Sequence, residues 1–341
     1  MWWTQIQAHM WRSSKRALSS ASRRSAPARF GIAFDIDGVL IRGGQKLPSA
    51  TQVLDSLQRQ HVPHLFLTNG GGCMEEEKAK TLSHIVDCSI HPEQMILSHT
   101  PMRELATTFG DKRVLIMGSH DVWRVAKSYG FQKVVSVEDL LHHHPTQYPF
   151  LHYDQRSAPH HDEPIEAIIV MHDPIHWAPD IQFAVDVLIG GDPPGSACLS
   201  NKQTPLFVSN DDFVFSGAYP FPRFAQGIPC FFFRLVPFLI SCLASDLNIE
   251  ANASFWYAQN RLNTISGHSV PLKRIYGIGD NPLSDIQGAN NAGGDWTSIL
   301  VRTGIFDGSK DPEHEPDVIV DGVGDAIKYI YKCEGIDDSM L

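Results

Sequence analysis

Apolar runs that stop abruptly at an acid or a glycine recur along this chain. Residues 31–37 (GIAFDID) read as a buried strand with polar groups at its carboxyl end. Residues 48–60 follow with Ala50, Val53, Leu54 and Leu57 at helical spacing. Residues 62–72 (VPHLFLTNGGG) form another apolar run that ends in a glycine turn, and 75–85 read as a second helix. Further strands are expected at 113–118, 166–172, 273–280, 297–304 and 317–322, with a helix over 177–189 and a strand ending near Val208. Residues 141–163, rich in His, Pro and Asp, read as a surface insertion. The alternation of strand and helix predicts an α/β fold with a parallel sheet, and ligands beyond the carboxyl ends of its strands. No fixed repeat interrupts it.

Composition narrows the class. The 341 residues are 43% hydrophobic and 19% charged, a globular composition that excludes wholesale disorder. A formal net charge of −10 makes the chain a poor general partner for nucleic acid. The six cysteines (Cys73, Cys88, Cys198, Cys230, Cys242 and Cys333) contain no C-x-x-C pair, which argues against a zinc ribbon or a dense disulfide scaffold. No transmembrane span is expected: the longest apolar stretch, 228–243, is broken by Arg234, Pro229 and Pro237. Charge is uneven, because no acid precedes Asp35 while Arg12, Lys15, Arg16, Arg23, Arg24 and Arg29 do. With its serines and an apolar stripe at Trp3, Ile6 and Met10, this leader reads as a mitochondrial transit peptide.

Three segments carry candidate chemistry, and each ends an apolar strand. In Asp35-Ile36-Asp37-Gly38 two carboxylates stand two residues apart, so on an extended chain both face one side, and Gly38 permits a tight turn offering an N–H to an anion. Thr68, Asn69 and Gly70 open a glycine turn whose hydroxyl and amide groups suit a phosphate. In Gly279-Asp280-Asn281-Pro282-Leu283-Ser284-Asp285, Asp280 is a hard-oxygen ligand suited to Mg²⁺, and Asp285 falls in the first turn of a helix starting near Pro282. His172 and His176 are read as loop histidines rather than metal ligands, because Pro174 stands between them. The triplet His142 to His144 and the pair His160 and His161 are read as solvated.

Taken together, DIDGV (35–39), LTNGG (67–71) and GDNPLSD (279–285) resemble motifs I, II and IV of the haloacid-dehalogenase superfamily of phosphohydrolases. Finer matches (DGVLIRGG, HDPIHW, YPFPRFAQG, IGDNPLSDIQGANNAG and WTSILVRTG) are similar to the class IIA branch. Within it they are similar to the cat eye syndrome critical region protein 5 family in a fungal-type version, whose members are mitochondrial. The resemblance implies a Rossmann-like core interrupted by an α/β cap of C2 type that closes over it. It implies a transit peptide over 1–29, core over 30–98, cap over 99–227 and core again over 271–341. It implies Asp35 as nucleophile, forming an aspartyl-phosphate, and Asp37 as the acid and base. Mg²⁺ would be held by Asp35, Asp280 and the main-chain oxygen of Asp37, with Asp285 behind them. Thr68, Asn69, Gly70 and Gly38 would hold the phosphoryl group of a small phosphate ester. The matrix is the implied compartment, with a link to glycerophospholipid metabolism.

The pattern breaks over 228–270. The family places a lysine there, and none occurs between Ile228 and Leu272. Asp35, Asp280 and a phosphate dianion oppose the charge of one Mg²⁺, so loss of such a donor costs about 10²–10³ in rate. The segment is read as either a shifted reading frame or a divergence. The second alternative is a weak or inactive protein that binds and regulates without turnover.

Overall fold

The computed structural model describes residues 29–119, 121–189, 204–210, 212–215, 221, 223–225, 227, 249–250, 254–267 and 270–337. The expected leader, apart from Arg29, and residues 228–248 lie outside the described residues. The chain divides into two compact units. The first holds residues up to Thr68, Glu75–Leu97 and Ala253–Leu341, and the second holds Asn69–Met74 and Ser98–Asn252.

Strands of the two main sheets are, in chain order, β1 (Phe30–Phe34), β2 (His64–Thr68), β3 (Met95–Leu97), β4 (Arg113–Met117), β5 (Lys133–Val135), β6 (Ile165–Val170), β7 (Leu206–Val208), β8 (Ile249–Glu250), β9 (Arg274–Gly279), β10 (Trp296–Val301) and β11 (Val318–Val320). The first unit's sheet runs β11-β10-β9-β1-β2-β3, with every pairing parallel. Its central strand β1 is buried along its whole length, as a strand covered on both faces must be. The chain moves from β1 outward to β3 and later returns on the other flank at β9. The gap between β1 and β9 is therefore where its direction across the sheet reverses.

Helix α1 (Ala50–Arg59) buries Val53, Leu54 and Leu57, the periodic positions of the sequence, each worth about 1.5–3 kcal/mol on removal from water. Helix α2 (Glu75–Val86) opens with three glutamates, favourable at the positive end of a helix dipole. The described part of the atypical segment contributes a helix to the first unit. Ser254–Ser266 packs Ala258 and Leu262 into a cluster with Ala33, Leu65, Ile96 and Ile275. Gly31 gives this helix room, since a Cβ there would meet Leu262 and Leu272.

The second unit has its own parallel sheet, ordered β8-β7-β6-β4-β5. Its core gathers Leu115, Met117, Ile168, Val170, Phe183 and Leu206. Residues 141–163 are largely irregular, as expected, but a helix precedes and enters them. Val137–His143 is capped by Ser136, whose Oγ accepts from the Asp139 amide at 3.1 Å while Asp139 accepts from the Ser136 amide at 2.9 Å. Among the described residues no helix is long and apolar enough to cross a membrane.

Candidate active site

The site in the first unit is built at the reversal point of its sheet. Strand β1 ends at Phe34, three residues short of the expected run, and Asp35 follows with its amide donating to Ile278 O at 2.8 Å. The chain then folds back at once. Gly38 donates to Ile41 O at 2.7 Å, and Leu40 and Ile41 donate to Ile36 O at 3.0 and 3.1 Å. Gly38 sits at φ +86°, and a Cβ there would strike the Asp280 carboxylate, so glycine is required twice over. This turn, and not an extended strand, carries Asp35 and Asp37. Asp35 is half-buried and Asp37 exposed, because the two no longer share an extended strand.

Asp280 follows β9 and is 5% exposed. Its carboxylate accepts from the Ile305 amide at 2.5 Å, and its carbonyl accepts from the Phe306 amide at 3.0 Å. Gly304 lets this loop approach, since a Cβ there would occupy the Asp280 carboxylate. Asp285 lies in a single π-helical turn, Pro282–Ile286, capped by Asn281. One of its oxygens accepts from the amides of Asp280 and Asn281, both at 3.0 Å. Such turns occur where a backbone serves a site rather than a regular helix.

The carboxylates of Asp35, Asp280 and Asp285 each offer an oxygen within 4.8 Å of the others. The Asp37 carboxylate is not in this set. Burial lifts Asp35 well above the ordinary carboxylate range, and the charges of Asp285, Asp280 and Asp37 raise it further against the Ile36 amide. Burial pushes Asp280 up to about 6, with Asp37 adding to the rise, while the Ile305 amide and Arg42 pull it down. Three hard oxygen donors of one sign, partly removed from water, suit a small divalent cation.

Thr68 is the buried last residue of β2 and belongs to the first unit. Asn69 and Gly70 are exposed and belong to the second. The Asn69 side chain donates to Asp212 at 2.8 Å, and Ser98 donates to Gly70 O at 3.4 Å. The sequence reading passed over Arg42, Thr303, Gly304 and Ile305. Arg42 donates to Thr303 O at 3.3 Å, and Thr303 Oγ1 donates to Gly38 O at 2.5 Å. The signal was present: residues 296–304 are another apolar strand ending in an Arg-Thr-Gly turn.

A parallel sheet with clustered carboxylates at its reversal point is an α/β architecture with a candidate cation site. Profiles of haloacid dehalogenase-like hydrolases match residues 32–132, and of HAD-hydrolase-like proteins residues 251–326. The chain is 32% identical to a mitochondrial hydrolase of Saccharomyces cerevisiae, over 92% of this chain and 97% of that one. It is 34% identical to a cardiolipin synthase (CMP-forming) / mitochondrial hydrolase fusion protein of Schizosaccharomyces pombe, over 96% of this chain, and spans 57% of that relative's length. In three dimensions it resembles 4-nitrophenylphosphatase of Thermotoga maritima with a TM-score of 0.62, at 17% identity, over 88% of this chain and 98% of that chain. The chain belongs to the haloacid dehalogenase-like hydrolase family.

Proposed function

We propose that this chain is a Mg²⁺-dependent phosphatase acting on a small phosphate monoester. The observation that carries the reading is the convergence of Asp35, Asp280 and Asp285 at the reversal point of the sheet. Asp35 and Asp280, with the main-chain oxygen of Asp37, would hold Mg²⁺, and Asp285 would orient the Asp280 backbone through the two amides it accepts from. When bound, the ion would offset the negative charge of carboxylates and phosphoryl oxygens.

Asp35 attacks phosphorus through a carboxylate oxygen, and the bond from phosphorus to the alcohol oxygen breaks. Asp37 gives its proton to that oxygen, which its exposed position permits. A water molecule then attacks phosphorus and Asp37 takes its proton. The bond between phosphorus and Asp35 breaks, releasing phosphate and restoring both carboxyl groups. Thr68, the amides of Asn69 and Gly70, and Gly38 hold the phosphoryl oxygens. The names of the two yeast relatives support a mitochondrial setting, and the fusion of one to a cardiolipin synthase supports a role in glycerophospholipid metabolism.

Hydrolysis of 4-nitrophenyl phosphate with Mg²⁺, with chelator, and with Asp35→Asn tests the reading. Turnover that needs Mg²⁺ and vanishes in Asp35→Asn is expected, and turnover persisting in the variant overturns it. A second reading, binding without turnover, draws on the absence of lysine between Ile228 and Leu272. Mg²⁺ and phosphate binding with no hydrolysis in the wild-type chain would decide for it.

A further inference from the structure

The insertion at 141–163 folds back on the helix that enters it. Helix Val137–His143 ends with the His144 amide donating to Leu140 O at 2.8 Å. His142, His143 and His144 are half-buried there, rather than solvated as the sequence suggests. His142 is engaged at both ring nitrogens: Nδ1 donates to Asp154 O at 2.8 Å, and Nε2 accepts from the Arg156 guanidinium. The Arg156 amide in turn donates to His142 O at 2.9 Å. These bonds bring the returning chain alongside the helix end. The His161 ring then lies 5.3 Å from that of His143, with the two planes 22° apart. The His144 ring meets the His143 ring edge to face, with centres 4.2 Å apart. Three imidazoles thus converge on one corner, all of them in the second unit.

Among the described residues, His144 Nε2 is buried and has no hydrogen-bond partner. A buried nitrogen left in that state costs about 1–3 kcal/mol, and an imidazole nitrogen finds its partner in a hydrogen-bonding group or a metal ion. Two imidazoles on one tetrahedral ion, with nitrogens about 2.0–2.1 Å from it, have ring centres roughly 5 Å apart, close to the spacing of these three. Three ligand atoms already within 4.8 Å of one another occur, among the described residues, only at Asp35, Asp280 and Asp285. The histidine rings therefore turn as they bind, which the broad second torsion of histidine and the exposure of His161 allow. Two cations border the corner, and Glu163 holds both. Arg113, which acts on the charge of His144, donates to Glu163 O at 2.7 Å, and Lys133 donates to the Glu163 carboxylate at 2.6 Å. Imidazole donors favour a borderline transition ion over Mg²⁺.

We propose that His143, His144 and His161 bind one divalent transition-metal ion of the zinc class, which fastens the returning end of the insertion to the end of its helix. His142, whose two nitrogens are engaged, stays outside the ligand set. The ion closes the loop at 145–160, and its binding free energy adds to the stability of that segment. Oxygen donors in the first unit and nitrogen donors in the second then select different ions.

Equilibrium dialysis of the full chain against Zn²⁺ counts the ions held, in an Asp280→Asn background that weakens the carboxylate site and in excess Mg²⁺. One Zn²⁺ per chain is expected to remain. His143→Gln and His161→Gln should each weaken its binding by at least about 10–100-fold, the loss that even outer partners of a metal ligand produce. His152→Gln, in the same loop and exposed, should change nothing. His161→Cys, which supplies a thiolate ligand, should keep the ion. Metal-free melting temperatures unchanged in the glutamine variants assign the loss to ligands rather than to folding. Zn²⁺ should also raise the melting temperature and protect the backbone at 145–160 from proteolysis, and both effects should vanish in the glutamine variants. Binding unmoved by His143→Gln and His161→Gln, or lost equally in His152→Gln, means an adventitious ion only and overturns the site. So does binding of inorganic phosphate, in place of Zn²⁺, that the two variants abolish. Zn²⁺ held by these histidines with no protection of the loop overturns the fastening role.

Discussion

Each parallel sheet has one gap where the chain changes flank, and the two gaps carry opposite chemistry. Between β1 and β9 stand Asp35, Asp280 and Asp285, with carboxylate oxygens within 4.8 Å of one another. Between β4 and β6 stand Ser119 and His172, joined by one hydrogen bond. The first gap is unfavourable by itself, because like charges are held together away from water and lift the pKa of Asp35 and Asp280. The same topology thus carries carboxylates that call for a cation in one unit and a hydrogen-bonded Ser–His pair in the other.

The largest expected effect is at the first gap. Asp35→Asn should lower phosphatase turnover by on the order of 10⁴-fold or more. Removal of one like charge from the cluster should leave the melting temperature of the metal-free protein unchanged or raised. A melting temperature lowered by the substitution would contradict the electrostatic picture. Gly304→Ala comes next, because its Cβ would enter the space of the Asp280 carboxylate. Overpacking of this kind costs about 1–3 kcal/mol. Displacement of Asp280 should abolish the rise in melting temperature that Mg²⁺ gives the wild-type protein. Retention of that rise would show that Asp280 does not hold the ion.

The pH dependence follows from the same charges. Asp280 rises from its ordinary 3.8 to about 6 on folding, and Asp35 also rises. The folded chain therefore holds protons more tightly than the unfolded one. The stability this contributes is complete below about pH 4 and lost as pH climbs through about 6. Metal-free protein should show this loss, and Asp280→Asn should flatten it. Mg²⁺, competing with those protons, should stabilise more at about pH 7.5 than at about pH 5. Thermal melts of wild type and Asp280→Asn across this range, with and without Mg²⁺, read both effects. A Mg²⁺ effect larger at acid pH would contradict the assignment.

The first gap was more legible in the sequence than the second. Strands β1, β2 and β9 announce themselves as apolar runs ending in Asp or Gly, and their functional residues sit where the run stops. The strand itself stops earlier than its apolar run suggests, because the backbone folds back onto Ile36 O and leaves Asp35 and Asp37 in the turn. Arg42 and the Thr303 to Ile305 loop reach Asp280 or its neighbours from about 25 or more residues away in either direction along the chain, so their part depends on tertiary closure. Ser119 and His172 lie 53 residues apart, and neither motif nor spacing links them. The short strands β3 and β5, three residues each, carry too few positions for a period to register.

Arg42 gives the smallest and most discriminating test of the first gap. It is exposed on the hairpin that follows the Asp37 turn, donates to Thr303 O, and lowers the pKa of Asp280 against the pull of burial. In a chain with no lysine between Ile228 and Leu272, this guanidinium is a cation already placed at the site. Exposure screens its charge, so the effect is modest. Arg42→Ala should reduce kcat for 4-nitrophenyl phosphate by about tenfold at low salt and by less at high salt. Arg42→Lys should recover part of the loss, because it restores the charge but not the planar donor that reaches Thr303 O. Equal loss in both variants, independent of salt, would assign Arg42 to holding the Thr303 loop. No loss in either would show that the carboxylate gap works without its charge.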